Sequence, residues 1–89
     1  MSGIERVRTK LISLQEQLRP YANYVPGPVQ NLATIVQLLE DPTKSNINSV
    51  LEMVDTLKSA FEGYRSMAPN QVDPILTLLD EVKQELAQM

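Results

Sequence analysis

Eighty-nine residues with a net charge of −3 suffice for one domain with a modest core, burying somewhat over half of its unfolded surface. The chain holds no cysteine, histidine or tryptophan, which removes disulfides, thiolate and imidazole metal sites, and the histidine- and cysteine-based catalytic pairs. A hydrophobic share of 43% with 21% charged residues is the composition of a folded domain rather than a disordered one.

No apolar run approaches the roughly 18 residues of a membrane span. No signal-peptide core follows the N-terminus, so a cytoplasmic location is expected. Ser2 stands where N-myristoylation requires glycine. The acidic balance disfavours nucleic acid, whose binding rests on Lys and Arg neutralising phosphates. The charge is uneven. Residues 1–19 carry Arg6, Arg8, Lys10 and Arg19 against Glu5 and Glu16, and the remainder is acidic. A basic first helix on an acidic body reads as a solvated face, with a small anionic contact as its functional counterpart.

The first segment places Ile4, Val7, Leu11, Leu14 and Leu18 at alternating steps of three and four, a heptad seam. Ser2 can cap its start. Pro20 has no N–H to donate, so the helix ends near Leu18 or kinks there, with Tyr21 continuing the seam by position. Val25-Pro26-Gly27-Pro28 is the strongest break in the chain. Pro28 suits the first position of a second helix, where its missing N–H is no loss, and that helix runs to about Glu40. Its apolar residues, Val29, Leu32, Ala33, Ile35, Val36, Leu38 and Leu39, cover more than the usual stripe.

Asp41-Pro42-Thr43-Lys44-Ser45 forms the next loop, and Ser45 or Asn46 can cap a third helix. Ile47, Val50, Val54, Leu57, Phe61 and Tyr64 give it the same three-four alternation. Asp55 with Lys58, and Glu62 with Arg65, are spaced for minor pairing along its surface. Ala68-Pro69-Asn70 breaks the chain again. Asn70 then caps a fourth helix with Asp73 in its first turn, and Pro74 is tolerable that early. Val72, Ile75, Leu79, Val82, Leu86 and Met89 form its seam, widened by Leu76 and Leu78.

A shift of 43 positions aligns the two halves without a gap. Ser2 meets Ser45, Ile4 meets Ile47, Val7 meets Val50 and Leu14 meets Leu57. Tyr21 then meets Tyr64, Pro26 meets Pro69, Val29 meets Val72 and Thr34 meets Thr77. Amphipathic hairpins in heptad register explain the apolar matches. They explain the tyrosine and proline matches less well, so the same bend is expected twice. Each half reads as a helical hairpin, over 2–40 and 45–88, within one domain spanning 1–89. A two-helix unit cannot bury its apolar face alone. The expected fold is all-α: a four-helix antiparallel bundle made of two pseudo-repeated hairpins. The alternative is two hairpins stacked in the manner of a solenoid.

The clustered carboxylates, Glu52 with Asp55 and Asp80, Glu81 with Glu85, lie opposite or beside the seams and read as solvated charges. No phosphate loop, calcium loop or Glu-x-x-His pattern occurs. No catalytic, metal or cofactor residue is therefore expected. The aromatics Tyr21, Tyr24, Phe61 and Tyr64 fall near the proline breaks with Met67 close by. They read as a plug for one end of the bundle, or as a contact patch beside Val25-Pro26-Gly27-Pro28. Ala33 with Leu76, and Ile35 with Leu78, are repeat-equivalent and lie at the margins of the core stripe, while Leu38 lies on the far side of helix 2.

The expectation is a non-enzymatic protein–protein interaction module or small accessory protein. It would bind a protein partner or a second copy through the apolar faces of helices 2 and 4, around Ala33, Ile35, Leu38, Leu76 and Leu78. Tyr21, Tyr24 and Tyr64 are the other candidate contact residues. Neither nucleic acid nor membrane is an expected partner. The alternative is a binder of a small apolar ligand inside the bundle, which needs a cavity of at least about 300 Å³.

Overall fold

The computed structural model describes residues 3–88. Helix α1 spans Gly3–Leu18 and tightens into a 3-10 turn at Arg19–Tyr21. Helix α2 spans Pro26–Leu38, α3 Lys44–Glu62 and α4 Pro69–Ala87. The expected Ser2 cap and the Met89 end of the last seam lie outside the described residues.

The helices touch in a closed ring: α1 against α2, α2 against α3, α3 against α4, and α4 back against α1. Closure through the α1–α4 contact makes this a bundle rather than a stack of two hairpins, since a stack leaves its outer helices apart. Ion pairs give the sense of α3 against α4. As the number rises through Asp55 and Lys58 of α3 to Arg65 in the turn after it, the partner falls through Lys83, Asp80 and Asp73 along α4. The two run antiparallel. The bundle measures 36 × 22 × 21 Å, a length set by helices of 19 residues at about 1.5 Å each.

The heptad seams become the core. Val7, Leu11, Leu14 and Leu18 of α1 are buried, as are their repeat-equivalents Val50, Val54, Leu57 and Phe61 of α3. Helix α4 buries Val72, Ile75, Leu79, Val82 and Leu86. Helix α2 departs from its repeat partner. It buries Leu32 and Ile35, with Leu39 at its C-cap, and leaves Val36 half-buried, whereas α4 buries Leu79 and leaves Leu78 half-buried. The seam of α2 is offset by one residue at that level. Its apolar face is broad enough to offer either position, and the neighbours decide which is used. Ile35 is therefore a fully buried core residue rather than a margin residue.

Local chemistry at the helix starts also differs from the expectation. Helix α2 begins at Pro26, not Pro28, so two prolines occupy its first turn, where N–H groups have no intrahelical acceptor anyway. Helix α4 begins at Pro69, and its N-cap is Ala68, with no side-chain cap, rather than Asn70. Helix α3 is capped by Thr43, two positions before the expected pair, its hydroxyl accepting from the Asn46 N–H at 3.1 Å. The Asn46 amide turns back to donate to the carbonyls of Asp41 (2.7 Å) and Leu38 (3.3 Å), closing the α2–α3 connection.

The charges on α3 and on the turn after it pair across helices rather than along one. Lys58 meets Asp80, Lys83 meets Asp55 at 2.6 Å, and Arg65 meets Asp73 at 2.8 Å. The basic excess of α1 finds its acids in the same way. Lys10 lies 3.5 Å from Glu81 and 3.4 Å from Glu85, and Arg8 lies 3.8 Å from Glu40. The uneven charge of the sequence is thus largely a device for helix pairing, which leaves less of it for an anionic partner. Among the described residues no helix is long and apolar enough to cross a membrane.

Candidate functional site

Two turns at one end of the bundle build the site. Val25 and Ala68 each precede a proline, whose ring disfavours the helical conformation in the residue before it. Both accordingly leave the helix in nearly the same way, with φ −131°, ψ 59° at Val25 and φ −146°, ψ 63° at Ala68. The hydrogen bonds match position for position. The Tyr21 carbonyl accepts from the N–H groups of Tyr24 (2.9 Å) and Val25 (3.0 Å), and the Tyr64 carbonyl accepts from those of Met67 and Ala68 (both 3.1 Å). Val25 and Ala68 then accept the first helical bonds of α2 and α4, from Val29 and Val72. The bend predicted from the 43-residue shift occurs twice.

In the ring α1 and α3 lie diagonally, and their C-terminal turns together line one open groove of about 680 Å³. Four repeat-equivalent pairs line it: Leu18 and Phe61, Tyr21 and Tyr64, Tyr24 and Met67, Val25 and Ala68. Every aromatic residue of the chain is among them. The groove leans toward the second repeat, where Asn70, Gln71, Val72, Pro74 and Ile75 at the start of α4 complete one wall, and Gln17 of α1 adds an amide. Phe61 and Tyr64 meet edge to face, with ring centres 6.5 Å apart and planes at 60°, the geometry an aromatic pair prefers. That contact fixes Tyr64, half-buried, as the floor. Tyr24 and Met67 form the rim at 79% and 74% exposure, with Tyr21 between at 50%.

None of the lining residues is charged. The groove offers three phenol hydroxyls, three side-chain amides and a thioether on an aromatic and aliphatic bed. These groups orient and hold a ligand; none of them has an ordinary pKa near neutrality. Helix α4 carries a proline beside the groove wall. Pro74 has no N–H, so the Asn70 carbonyl lacks the usual donor four residues on. Among the described residues no group of three or more carboxylates is placed to hold a metal ion.

The structure separates the sequence-derived candidates into two sets. It brings Tyr21, Tyr24 and Tyr64 together in the groove. The α2 and α4 candidates lie elsewhere. Leu38, Leu76 and Leu78 are half-buried and packed against the core, Ala33 is exposed but small, and Ile35 is interior. Gln17, Asn70, Gln71 and Pro74 were not anticipated. The signal for the rim was present, since the shift sets Tyr24 opposite Met67. The amides carry no pattern of their own.

No family model, curated protein or solved structure matches the chain.

Proposed function

We propose that this chain is a non-enzymatic binding module that holds an uncharged, largely apolar group of a partner in the groove between its two turns. One observation carries the reading: Tyr21, Tyr24 and Met67 converge on a single groove while remaining largely exposed. Large apolar side chains scattered singly on a surface need no explanation, but a contiguous set lining a concavity marks a contact site. The same observation moves the favoured surface away from the sides of α2 and α4, whose leucines are mostly absorbed into the fold.

A neutral solvatochromic dye such as Nile red tests this directly. Saturable one-to-one enhancement is expected, lost in the double variant Tyr24→Lys, Met67→Glu and retained in Ala33→Glu, an exposed position on the α2 face. Binding lost in Ala33→Glu with its thermal melt unchanged would return the site to the helix faces. No saturable binding would remove the groove reading altogether.

A second reading is supported by size. About 680 Å³ lies within the range of small-molecule sites, so the partner group could belong to a free apolar ligand rather than to a protein.

A further inference from the structure

We infer that this chain pairs with a second copy of itself, α1 against α1 in antiparallel sense, about a twofold axis at Ile12. The contact lies outside the groove and does not depend on it.

Among the described residues, Ile12 is the one large apolar side chain exposed outside the groove, at 40%. The repeat does not account for it. Its equivalent 43 positions on is Asp55, which pairs with Lys83 across α3 and α4. The next pair along that side, Lys58 with Asp80, has Gln15 and Gln37 as its equivalents. Two ion pairs that finish the α3–α4 side thus have no counterpart at the same positions of α1 and α2, and an isoleucine stands among the uncharged replacements. A single exposed apolar residue needs no explanation by itself. The charges around this one supply the explanation.

Those charges invert about Ile12. Glu5 and Arg8 lie seven and four residues before it, Glu16 and Arg19 four and seven after it. At 3.6 residues per turn all five share one stripe of the helix, within an arc of about 80°. Glu5, Glu16 and Arg19 are exposed and Arg8 is half-buried. A twofold axis at Ile12, perpendicular to α1, sets Arg8 level with Glu16 of the second copy, and Glu5 level with its Arg19. Each contact then occurs twice. A parallel pairing would set every charge against its like. An identical stripe read backwards answers this one charge for charge, which is what a second copy provides.

Net charge and size agree. The chain carries −3, which keeps copies apart in general, but the stripe sums to zero. The pairs made within one chain offer weak competition. Arg19 meets Glu16 at 3.0 Å on the exposed surface, and Arg8 stands 3.8 Å from Glu40; exposed pairs of this kind are worth little. The charges across the contact set its orientation, and the two Ile12 side chains form its apolar centre. The side of the bundle measures 36 × 22 Å, close to the roughly 800 Å² that each partner gives to a stable interface.

Sedimentation equilibrium of the whole chain tests this. The mass should rise with concentration from 10.0 kDa toward twice that value. Ile12→Asp puts two carboxylates at the axis and should weaken pairing about tenfold or more, with its thermal melt preserved. Arg8→Glu and Glu16→Arg should each weaken self-association in the same way, because each sets like charges together. Mixed, those two variants should associate as tightly as the native chain, since every contact between them is again opposite in sign. The groove variant Tyr24→Lys, Met67→Glu should pair normally. A monomeric mass into the millimolar range would overturn the proposal, and so would a dimer that survives Ile12→Asp. A mixture no tighter than either variant alone would overturn the antiparallel pairing, and a dimer lost in the groove variant would overturn it in favour of the groove.

Discussion

Replacing Pro74 by alanine should make this protein more stable. Pro74 is the sixth residue of α4, which stays helical through it. Its ring crowds the Asn70 carbonyl and provides no N–H to that carbonyl. The side chain is exposed and lies on the groove wall, so little packing is lost with it. In a helix interior, proline is about 3 kcal/mol less favourable than alanine. The lower bound comes from one recovered hydrogen bond, about 1 kcal/mol, less the roughly 0.4–1 kcal/mol by which proline stiffens the unfolded chain. The gain therefore lies between a floor of roughly 0–0.6 kcal/mol and a ceiling of about 3 kcal/mol. For a domain of this size, each kcal/mol gained raises Tm by roughly 4–8 °C, readable by far-UV circular dichroism. A Tm that falls in Pro74→Ala would refute the reasoning, because it would mean that proline at position 74 stabilises the helix more than a recovered hydrogen bond does.

Three further outcomes are expected. Leu57→Ala, at a fully buried position, should cost about 2–5 kcal/mol, a large part of the roughly 4–13 kcal/mol typical of such a chain. Its repeat-equivalent Leu14→Ala should behave alike, and Tyr24→Ala should stay within about 0.5 kcal/mol; urea midpoints at constant slope decide this. Asn46→Ala removes both bonds from its amide to the α2–α3 connection. It should cost about 1–2 kcal/mol and speed hydrogen exchange at Ile47 and Thr43. Finally, Lys58 is held above its ordinary pKa, first by its hydrogen bond to Asp80 and then by the charges of Asp80, Asp55 and Glu62. A raised folded value means that the pair's contribution is present below the unfolded pKa of about 10.4. It is lost as pH rises through the folded value. Lys58→Met should therefore be slightly less stable than the native chain near neutrality, by an amount that salt reduces. The difference should vanish in strong alkali, and a difference independent of pH would contradict the assignment.

The seams were legible because helical periodicity is a one-dimensional record of burial. Val7, Leu11, Leu14 and Leu18, and Val50, Val54, Leu57 and Phe61, needed only their spacing to be placed inside. The repeat was legible for the same reason, and with it the recurrence of one bend at Pro26 and Pro69. Helix starts were harder to read. Thr43 rather than Ser45 or Asn46 became the cap of α3, because several neighbouring residues can cap equally well and the path of the loop chooses among them. Asp55 and Glu62 had partners within reach on their own helix. The structure shows Asp55 paired with Lys83, and Lys58 and Arg65 turned to α4.

The sequence by itself determined that this chain has four amphipathic helices in two similar hairpins, with every aromatic residue near a proline break. Local spacing and covalent chemistry are enough for that. Only the tertiary structure decided that Ile35 goes inside rather than Val36, and that the turns at Val25 and Ala68 end up lining one groove. Those outcomes depend on how four helices share one interior. Tyr24 and Met67 are 43 positions apart, and only the closing of the ring through α1 and α4 sets them on the rim of one groove.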